Sequence, residues 1–474
     1  MDSSKKKHWI QVISIVLLCI LCFGMGMAIP IVKNHSKIDK VEKEKFDSIY
    51  SILKNEWYYA NDVNGLDKKL MEQAIMGMTT LEKDPHTNYF DLDQAKQFSA
   101  SLEGSNVGLG VNFFEDENGN MAIKQVFINS PADRANLKAG DVIVQVGDKV
   151  CAQTSQDDLV TYIKDRKGKS VDITYLENGV TNKTKITPTE FDSTVICNLY
   201  DTYGEIILTS FSEHSGEDVA KAMKRIREAG LKSVLLDLRD NSGGYLSAAV
   251  DIASTFVPEK SVVFKEKKKD GSIVSTKTNE KYSQVKMDKI VILQNMNTAS
   301  ASEALIGALK DILKDKVVTV GTNTYGKGTE QVSVPFRDGT SLKYTIAEWL
   351  TPNENCINKK GFKPDIEVED SVIKTVKYME FKKDDVIQRD TVSQNARALQ
   401  VFLNYLGYTT DRKDAYFSVV SSDSLKDFQS ENGLDVTGNC DKKTWDLLFS
   451  KAVLKLNNNF NQEDAQRNIA IAQF

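Results

Sequence analysis

An alternation of apolar runs and helical patterns in the middle of the chain most constrains its fold. Residues 205–208 and 233–238 have the composition of buried strands, and a helical pattern over residues 216–229 separates them. A strand, a helix and a second strand in this order predict a βαβ unit, in which the helix covers the sheet that the strands share. We therefore expect residues 191–375 to form a βαβ-type core.

A strand-to-helix turn further along this core carries a serine among small residues. Residues 290–293 form an apolar run typical of a buried strand, and a helical pattern follows over residues 304–313. Ser300 lies between them, beside the start of the helix, where backbone N–H groups and the helix dipole favour a developing negative charge. This placement suits a nucleophilic hydroxyl.

A serine nucleophile needs a base, and in this sequence a lysine fits that role better than a histidine. No motif typical of catalysis contains any of the four histidines: His8, His35, His86 and His214. Lys327 lies between Gly326 and Gly328, after a predicted strand at 317–321, and the glycines allow a tight turn that brings the lysine inward. Burial would keep its amine neutral, as a general base must be.

The residues alone leave a second interpretation open. Ser300 and Glu303 also form the Ser-x-x-Glu pattern of a capping box, in which the hydroxyl accepts a hydrogen bond from a backbone N–H. A lone Gly-Lys-Gly is usually an ordinary loop. From residue types and spacing, a helix cap at Ser300 and a serine–lysine pair remain alternatives.

Several motifs resemble those of one family. The run TASASE (298–303), followed by YGKGTEQ (325–331), resembles the active-site signature of the carboxyl-terminal processing peptidases. These are serine–lysine endopeptidases of bacterial envelopes and chloroplasts. Three further stretches match the family in its order, between about residue 44 and residue 369: DPHTNYF (84–90), DLRDNSGGYL (237–246) and WLTP…GFKPD (349–365).

The resemblance implies roles for five residues. Ser300 would be the nucleophile, Lys327 the base, and Gln331 the residue that orients the lysine. The N–H groups of Gly244 and Ala301 would form the oxyanion hole. The resemblance implies neither a metal nor any other cofactor.

Two other functions would require a different site. A catalytically silent scaffold that binds peptide C-termini and cell wall would have no reason to keep Ser300, Lys327 and Gln331 together. A cell-wall amidase or another zinc hydrolase would need a cluster of histidine and aspartate ligands, and the sequence offers none. We therefore expect a serine endopeptidase, with the scaffold as the alternative.

Residues 101–190 resemble a PDZ domain of the envelope-protease type. The stretches GLGV (108–111) and SPADRANLKAGD (130–141) precede a helix predicted at 156–164, in the order of that domain. In a PDZ domain, loop N–H groups bind the C-terminal carboxylate of a peptide that adds to an edge strand. The peptide-binding residues would be Leu109, Gly110, Val111, Leu159 and Ile163. The apolar ones would serve equally well as core.

Residues 1–36 predict a membrane anchor. Lysines at positions 5–7 precede an apolar run at 9–32, which is long enough to cross a bilayer as a helix. Their position predicts a cytoplasmic N-terminus, with the catalytic domains on the extracytoplasmic side of the cell membrane. A cleaved signal peptide is the alternative.

The C-terminal part predicts a second small unit. Residues 376–390 are charged and lack periodicity, which is typical of a linker. Residues 391–455 contain amphipathic helical patterns and resemble the three-helix peptidoglycan-binding domain through the order LQ…LGY…FQ…GL…G…TW…L. Peptidoglycan is therefore the expected partner, and a protein-interaction module is the alternative. Residues 456–474 are expected to form a polar tail.

These expectations define a multidomain α/β and α+β chain of 474 residues. A membrane helix and a helical lead-in (37–100) precede the PDZ-like β-rich domain, the βαβ-type protease core and a small three-helix domain. In relatives, such N-terminal helices can build a dimer, so we expect a homodimer. The net charge of −5 gives no indication of nucleic acid binding.

Overall fold

The computed structural model describes residues 39–103, 106–459 and 463–474. The predicted membrane span at residues 9–32 lies outside them. Among the residues described, no helix combines the length and the apolar character that crossing a membrane requires. The chain divides into two compact units, Met1–Glu82 and Lys83–Phe474.

The described part of the first unit is a pair of helices, α1 (Lys40–Asn55) and α2 (Leu66–Thr79). An ion pair joins them, with Lys54 Nζ 2.8 Å from a carboxylate oxygen of Asp67. None of the residues in either helix is buried, and apolar side chains such as Phe46 and Ile49 are exposed within this unit.

The second unit begins with a strand and a helix that precede the predicted PDZ domain. These are β1 (Asn88–Phe90) and α3 (Leu92–Glu103). The elements that follow are β2 (Asn106–Gly108), β3 (Val111–Glu115), β4 (Met121–Val126), α4 (Pro131–Arg134), β5 (Val142–Val146), β6 (Lys149–Val150), α5 (Gln156–Lys164), β7 (Val171–Glu177), β8 (Val180–Ile186) and β9 (Thr189–Phe191). Their main sheet has the order β3-β4-β5-β7-β8, which leaves β3 at an edge, and β2 pairs with β9.

The predicted protease core follows as alternating strands and helices. They are β10 (Val195–Leu199), β11 (Gly204–Leu208), α6 (Ser215–Glu228), β12 (Ser233–Asp237), α7 (Leu246–Phe256), β13 (Val262–Lys268), β14 (Ile273–Lys277), β15 (Lys289–Gln294), α8 (Ala301–Leu313), β16 (Val317–Gly321), β17 (Thr329–Pro335), β18 (Ser341–Leu350) and β19 (Ile366–Glu367). Six of the strands form a sheet of order β10-β11-β12-β15-β16-β19, parallel except for the β10–β11 pair.

Both faces of this sheet are covered. Successive side chains of a strand point to opposite faces. Leu236 and Ile292 belong to the core cluster that includes residues of α6, α7 and α8. Leu235 and Val291, their neighbours in sequence, belong to a different cluster that contains Ala470, near the C-terminal end of the chain. Buried on both faces, the parallel strands have the continuous apolar runs seen in the sequence.

A second, antiparallel sheet brings distant motifs to the same place. Its order is β1-β18-β13-β14, and β17 also pairs with β18. Asn88 lies opposite Lys343 in the β1–β18 pair, so the DPHTNYF segment runs beside β18. β17 begins at Thr329, two residues after Lys327. The DPHTNYF segment and the strand that follows Lys327 therefore both pair with β18.

The C-terminal part contains α9 (Val372–Thr375), α10 (Gln394–Leu406), α11 (Val419–Glu431), α12 (Lys442–Asn458) and α13 (Ala465–Ile471). Residues 376–390, expected as a linker, instead contribute Val376, Phe381 and Ile387 to the core of this part. Phe381 stacks on Trp445 with ring centroids 4.7 Å apart. Sparse apolar residues in a charged segment show no periodicity, so only their contacts reveal this packing.

The last residues also differ from the expected polar tail. Helix α12 continues to Asn458, and the segment that contains α13 packs on the core of the second unit. Ala470 is fully buried, and Arg467 is 6% exposed. Composition did not predict this packing, because the buried residues of the segment include the charged Asp464 and Arg467, which form ion pairs.

Candidate active site

Ser300 occupies a strained backbone position between β15 and α8. Its φ is 57° and its ψ is −117°, a combination that residues with a side chain rarely adopt. Such strain costs on the order of 1–3 kcal/mol and persists only where the surrounding structure holds it, most often at functional sites. The strained backbone therefore indicates a functional position at Ser300.

Hydrogen bonds from a neighbouring loop hold this turn. The carbonyl oxygen of Asn241 accepts from Ala299 N–H and from the Ser302 hydroxyl, each at 3.0 Å. The Thr298 hydroxyl donates to the Leu238 carbonyl at 2.8 Å. Since Ser302 is fully buried and donates to backbone, its hydroxyl is engaged in holding the loop.

The Glu303 carboxylate connects the serine motif to the lysine motif. One of its oxygens, Oε2, accepts from Ser300 N–H at 2.9 Å and from Lys327 N–H at 2.8 Å. The other accepts from Gly326 N–H at 2.7 Å and from the Thr324 hydroxyl. Burial raises the pKa of Glu303, while these four donors favour its charged form. The two motifs are thus tied together by one buried side chain.

The same contacts bear on the capping alternative. Ser300 is the N-cap residue of α8, and Glu303 reaches back to its N–H as in a capping box. The Ser300 side chain faces the Glu303 N–H in that arrangement but makes no regular cap hydrogen bond. A cap built mainly by Glu303 leaves the Ser300 hydroxyl compatible with chemistry, so the two interpretations do not compete.

Lys327 is half-buried, and its ammonium form is disfavoured. Burial lowers the pKa of the Lys327 amine, and the positive charge of Lys343 lowers it further, whereas Glu303 acts in the opposite direction. The indole N–H of Trp349 donates to the Lys327 carbonyl at 3.0 Å and fixes the turn. The direction of the shift is the one that a general base needs.

A glycine turn lies directly against Ser300. A Cβ atom on Gly243, whose φ is +102°, would come within 2.8 Å of Ser300 Cβ and 3.0 Å of the Ala301 nitrogen. Gly243 N–H donates to the Asn241 side chain at 2.9 Å. Among the described residues, the N–H groups of Gly244 and Ala301 have no acceptor. The oxyanion-hole role expected of these two N–H groups stays a prediction.

Gln331 lies near the lysine turn, but its amide nitrogen is engaged elsewhere. It donates to the hydroxyls of Thr329 at 2.9 Å and Thr345 at 3.1 Å. The Thr345 hydroxyl in turn donates to Asp84 at 3.1 Å. Within the described part of the chain, Gln331 and the Lys327 amine make no hydrogen bond. Its predicted role in orienting the lysine stays a prediction.

The sequence analysis gave His86 no catalytic role. In the structure, the charge of Lys327 nevertheless acts on the His86 side chain. Burial lowers the pKa of His86, and the Lys327 charge is the next largest cause. The preceding Asp84 accepts from His86 N–H at 3.2 Å and from the Thr87 hydroxyl at 2.6 Å. The DPHTNYF motif contains Asp84 and His86, so its match to the family could have indicated them. The match did not show that they lie near Lys327.

The five predicted PDZ residues come together, largely as core. Leu109, Leu159 and Ile163 are buried in the hydrophobic core of this domain, and Val111 packs against it. Gly110 has a φ of +80° and leaves no room for a side chain, because a Cβ would meet Ser130. The side-chain assignments for peptide binding stay a prediction. β3 is the edge strand of its sheet, and addition of a strand to such an edge is the way a PDZ domain binds a peptide.

A cavity of about 460 Å³ lies away from the serine and the lysine. Its wall includes Lys124 of β4, Arg239, Asp464 and aromatic side chains of the C-terminal part such as Phe402. Neither Ser300 nor Lys327 lines it.

Together, the fold and this site define a multidomain peptidase with a PDZ domain. Three family models match the chain: Peptidase family S41 over residues 202–368, the PDZ domain over 107–187 and the peptidoglycan binding domain over 392–448. The chain belongs to peptidase family S41. This confirms the resemblance to the carboxyl-terminal processing peptidases and to the peptidoglycan-binding domain.

Curated relatives match almost the whole chain. A "Probable CtpA-like serine protease" of Staphylococcus aureus (strain COL) is 32% identical over 466 residues, which is 95% of this chain and 92% of that protein. A protein of the same name from Staphylococcus epidermidis (strain ATCC 12228 / FDA PCI 1200) is 30% identical over 455 residues, 95% of this chain and 91% of that protein.

Among solved structures, the photosystem II D1 C-terminal processing protease is similar over 69% of this chain and 93% of that one. The TM-score is 0.39 at 22% identity.

Proposed function

We propose that this protein is a serine endopeptidase in which Ser300 is the nucleophile and Lys327 the general base. The observation that carries the proposal is the Glu303 carboxylate, one oxygen of which accepts the N–H groups of both Ser300 and Lys327. The strained backbone at Ser300 and the depressed pKa of Lys327 support it.

The acylation step follows from this arrangement. Neutral Lys327 accepts the proton of the Ser300 hydroxyl as Oγ attacks the carbonyl carbon of the scissile peptide bond. The carbonyl oxygen becomes negatively charged and accepts hydrogen bonds from Gly244 and Ala301 N–H. A single donor of this kind lowers the barrier by about 3–4 kcal/mol. The lysine then gives its proton to the leaving amine, and an acyl-enzyme ester remains on Ser300.

Deacylation repeats the cycle with water as the nucleophile. Lys327 takes a proton from water, the tetrahedral intermediate uses the same two N–H groups, and the proton returns to Ser300 Oγ as the acid product leaves. The amide nitrogen of Gln331 donates to Thr329 and Thr345, and in this proposal its amide oxygen would accept a hydrogen bond from the lysine amine.

Substrate recognition through the PDZ domain is part of the proposal. The Gly108–Gly110 loop would bind a free substrate C-terminus, and the β3 edge would pair with the extended segment that precedes it. The charge of a carboxylate, and not a particular apolar pocket, would make the main contact. This is consistent with the burial of Leu109, Leu159 and Ile163 in the core.

The same proposal places the protein in the cell envelope. Residues 9–32 would anchor it in the cell membrane with its catalytic part outside, and the C-terminal domain would bind peptidoglycan. A homodimer through residues 37–100 stays a prediction. Co-sedimentation of the full-length protein with purified cell-wall sacculi tests the peptidoglycan contact, and recovery only in the supernatant would favour an interaction module.

The catalytic proposal is tested with the full-length protein in detergent and chemically unfolded protein substrates. New N-termini, identified by mass spectrometry, should appear with the parent and be absent with Ser300→Ala. The matched control is Ser275→Ala, which changes an exposed serine of β14 and should cleave like the parent. Equal cleavage by Ser300→Ala would refute the nucleophile, and no cleavage by any form would favour the scaffold alternative.

A further inference from the structure

The C-terminal segment, residues 463–474, covers one face of the protease sheet. Ala470 shares a core cluster with Leu235, Val291 and Leu293, and Ile471 and Phe474 pack against that cluster. The Phe474 ring stacks on Tyr203, with centroids 4.8 Å apart and an interplanar angle of 17°. The segment is thus an integral layer of the second unit, on the face opposite α6, α7 and α8.

A buried ion pair reinforces this contact. Arg467 Nε lies 2.8 Å from the Glu205 carboxylate, and the two side chains are 7% and 4% exposed. The Arg467 guanidinium also donates to the Tyr203 hydroxyl at 3.0 Å. A buried charge is tolerated only with its partner, so this pair fixes the segment in a defined register on the sheet.

A second ion pair connects the segment to the loop that follows β12. The Arg239 guanidinium donates to Asp464 Oδ1 at 2.8 Å and to Gln466 Oε1 at 3.3 Å. Its other edge donates to Asp237 at 2.6 Å. The Arg239 side chain is 10% exposed and that of Asp464 1%. Arg239 belongs to the DLRDNSGGYL stretch, which also contains Gly243 and Gly244.

From Arg239 the contacts continue to the nucleophile turn. The next residue, Asp240, has a strained φ of +59° and accepts from the side chains of Asn295 and Asn297 at 2.9 and 2.8 Å. Asn241 follows, and its carbonyl accepts Ala299 N–H. Loop 239–244 is therefore held on one side by the C-terminal segment and on the other by the turn that carries Ser300.

We propose that residues 463–474 act as an intramolecular clamp that positions loop 239–244, and with it the Gly244 N–H of the oxyanion hole. The clamp rests on the proposed function, because it acts through that donor. Asp464 and Gln466 are its positioning residues, since they contact Arg239 and not the substrate. Release of the segment would free Arg239, relax the strained loop and misplace the Gly244 N–H.

The clamp predicts a fall in kcat with little change in KM. A segment that only packs against the core would not produce this change. Misplacing an oxyanion donor lowers kcat, because it weakens binding of the transition state more than binding of the substrate. Removing such a donor outright costs about 10²–10³ in kcat, so a displaced donor should cost at least about tenfold. KM should change little, and the pH profile should keep its midpoint, because Lys327 is untouched.

Two substitutions at Asp464 weaken its contact with Arg239 to different degrees. Asp464→Asn keeps an oxygen acceptor for Arg239, and Asp464→Ser keeps only the helix cap of α13, which the side chain forms with Arg467 N–H. We expect kcat to fall in the order parent, Asp464→Asn, Asp464→Ser, with the last at least tenfold below the parent. Ile469→Ala, an exposed change on the same helix, should match the parent.

A deletion with add-back separates the clamp from general destabilisation. The protein truncated after residue 462 should lose activity. A synthetic peptide of residues 463–474 should then restore kcat in a saturable manner. A peptide carrying Ser in place of Asp464 should restore little. All assays are run at 25 °C, with melting temperatures measured for every form.

The outcomes distinguish failure of the clamp proposal from failure of the proposed function. If Ser300→Ala abolishes cleavage while both Asp464 variants keep the parent kcat, the clamp is refuted and the proposed function stands. Activity losses at Asp464 that only follow the fraction of unfolded protein would also refute it. If Ser300→Ala still cleaves, the proposed function itself fails.

Discussion

The Ser300 turn and the PDZ glycine loop are both short loops of small residues, but their surroundings differ. In the proposed function, backbone N–H groups of each loop bind a negative charge. At Ser300 the neighbours are buried polar groups, chiefly Glu303 with its four donors and Asn241 with its carbonyl. Around Gly110 the neighbours are apolar side chains that form one continuous core.

This difference determines how specifically the sequence can suggest a role for each loop. A buried carboxylate or lysine is expensive unless it has a purpose, so polar residues in a motif indicate function. Leu159 and Ile163 would be apolar whether they bind a peptide or fill a core. The sequence could therefore not separate these roles, and the burial of both residues points to packing as their main contribution.

The largest expected effect is at the nucleophile. Ser300→Ala should lower kcat/KM by about 10⁴-fold or more while leaving the melting temperature unchanged, because it removes the attacking atom and no packing. Ser302→Ala should keep activity within tenfold and lose about 1 kcal/mol of unfolding free energy with its bond to Asn241. Equal activity losses in the two variants would mean that the wrong serine is assigned.

The next effect is at the base. Lys327→Met should lower kcat by about 10³-fold, the usual contribution of a general base. Because the folded pKa of Lys327 is depressed, the unfolded chain binds a proton that the folded chain lacks, at every pH between that value and 10.5. The parent should therefore gain stability relative to Lys327→Met as pH rises through this window.

Melting curves of the parent and of Lys327→Met at several pH values measure that difference. The variant should be no less stable than the parent at pH 7, because it has no amine to keep uncharged. A variant that melts far below the parent at pH 7 would identify Lys327 as a charged structural partner of Glu303.

Glu303→Gln should have a smaller effect on activity and a large one on stability. The amide can no longer offer acceptors to all four donors, and hydrogen bonds to charged groups are worth about 1.5–3 kcal/mol each. We expect a loss of about 3 kcal/mol in unfolding free energy and a roughly 100-fold lower kcat, since both loops shift. Glu369→Gln, an exposed change, is the matched control. Unchanged kcat in Glu303→Gln would show that the two motifs do not need this connection.

The smallest effect on activity is expected in the PDZ domain. Amidation of a substrate C-terminus should lower kcat/KM by about tenfold, because the glycine loop then has no carboxylate to bind. Leu159→Ala should cost about 3 kcal/mol of unfolding free energy, as buried leucines usually do. If Leu159→Ala instead left stability unchanged and abolished the preference for a free C-terminus, its side chain would line a peptide pocket.

The amino-acid sequence by itself determined the strands and helices around the candidate site and indicated candidates for its chemical groups. Apolar runs located β11, β12 and β15, and the helical pattern between them located α6, because these signals are local. The family motifs indicated Ser300 and Lys327, because that chemistry requires particular residue types at a particular spacing.

Only the tertiary structure decided how these parts are held. Nothing local to Glu303 indicates that one of its oxygens serves both Ser300 and Lys327, and nothing near Arg239 in sequence indicates Asp464. Residues 376–390 and 463–474 resemble solvated segments by composition, yet both pack in the second unit. Such contacts join residues far apart in sequence, and their stability comes from burial and charge pairing that exist only once the chain has folded.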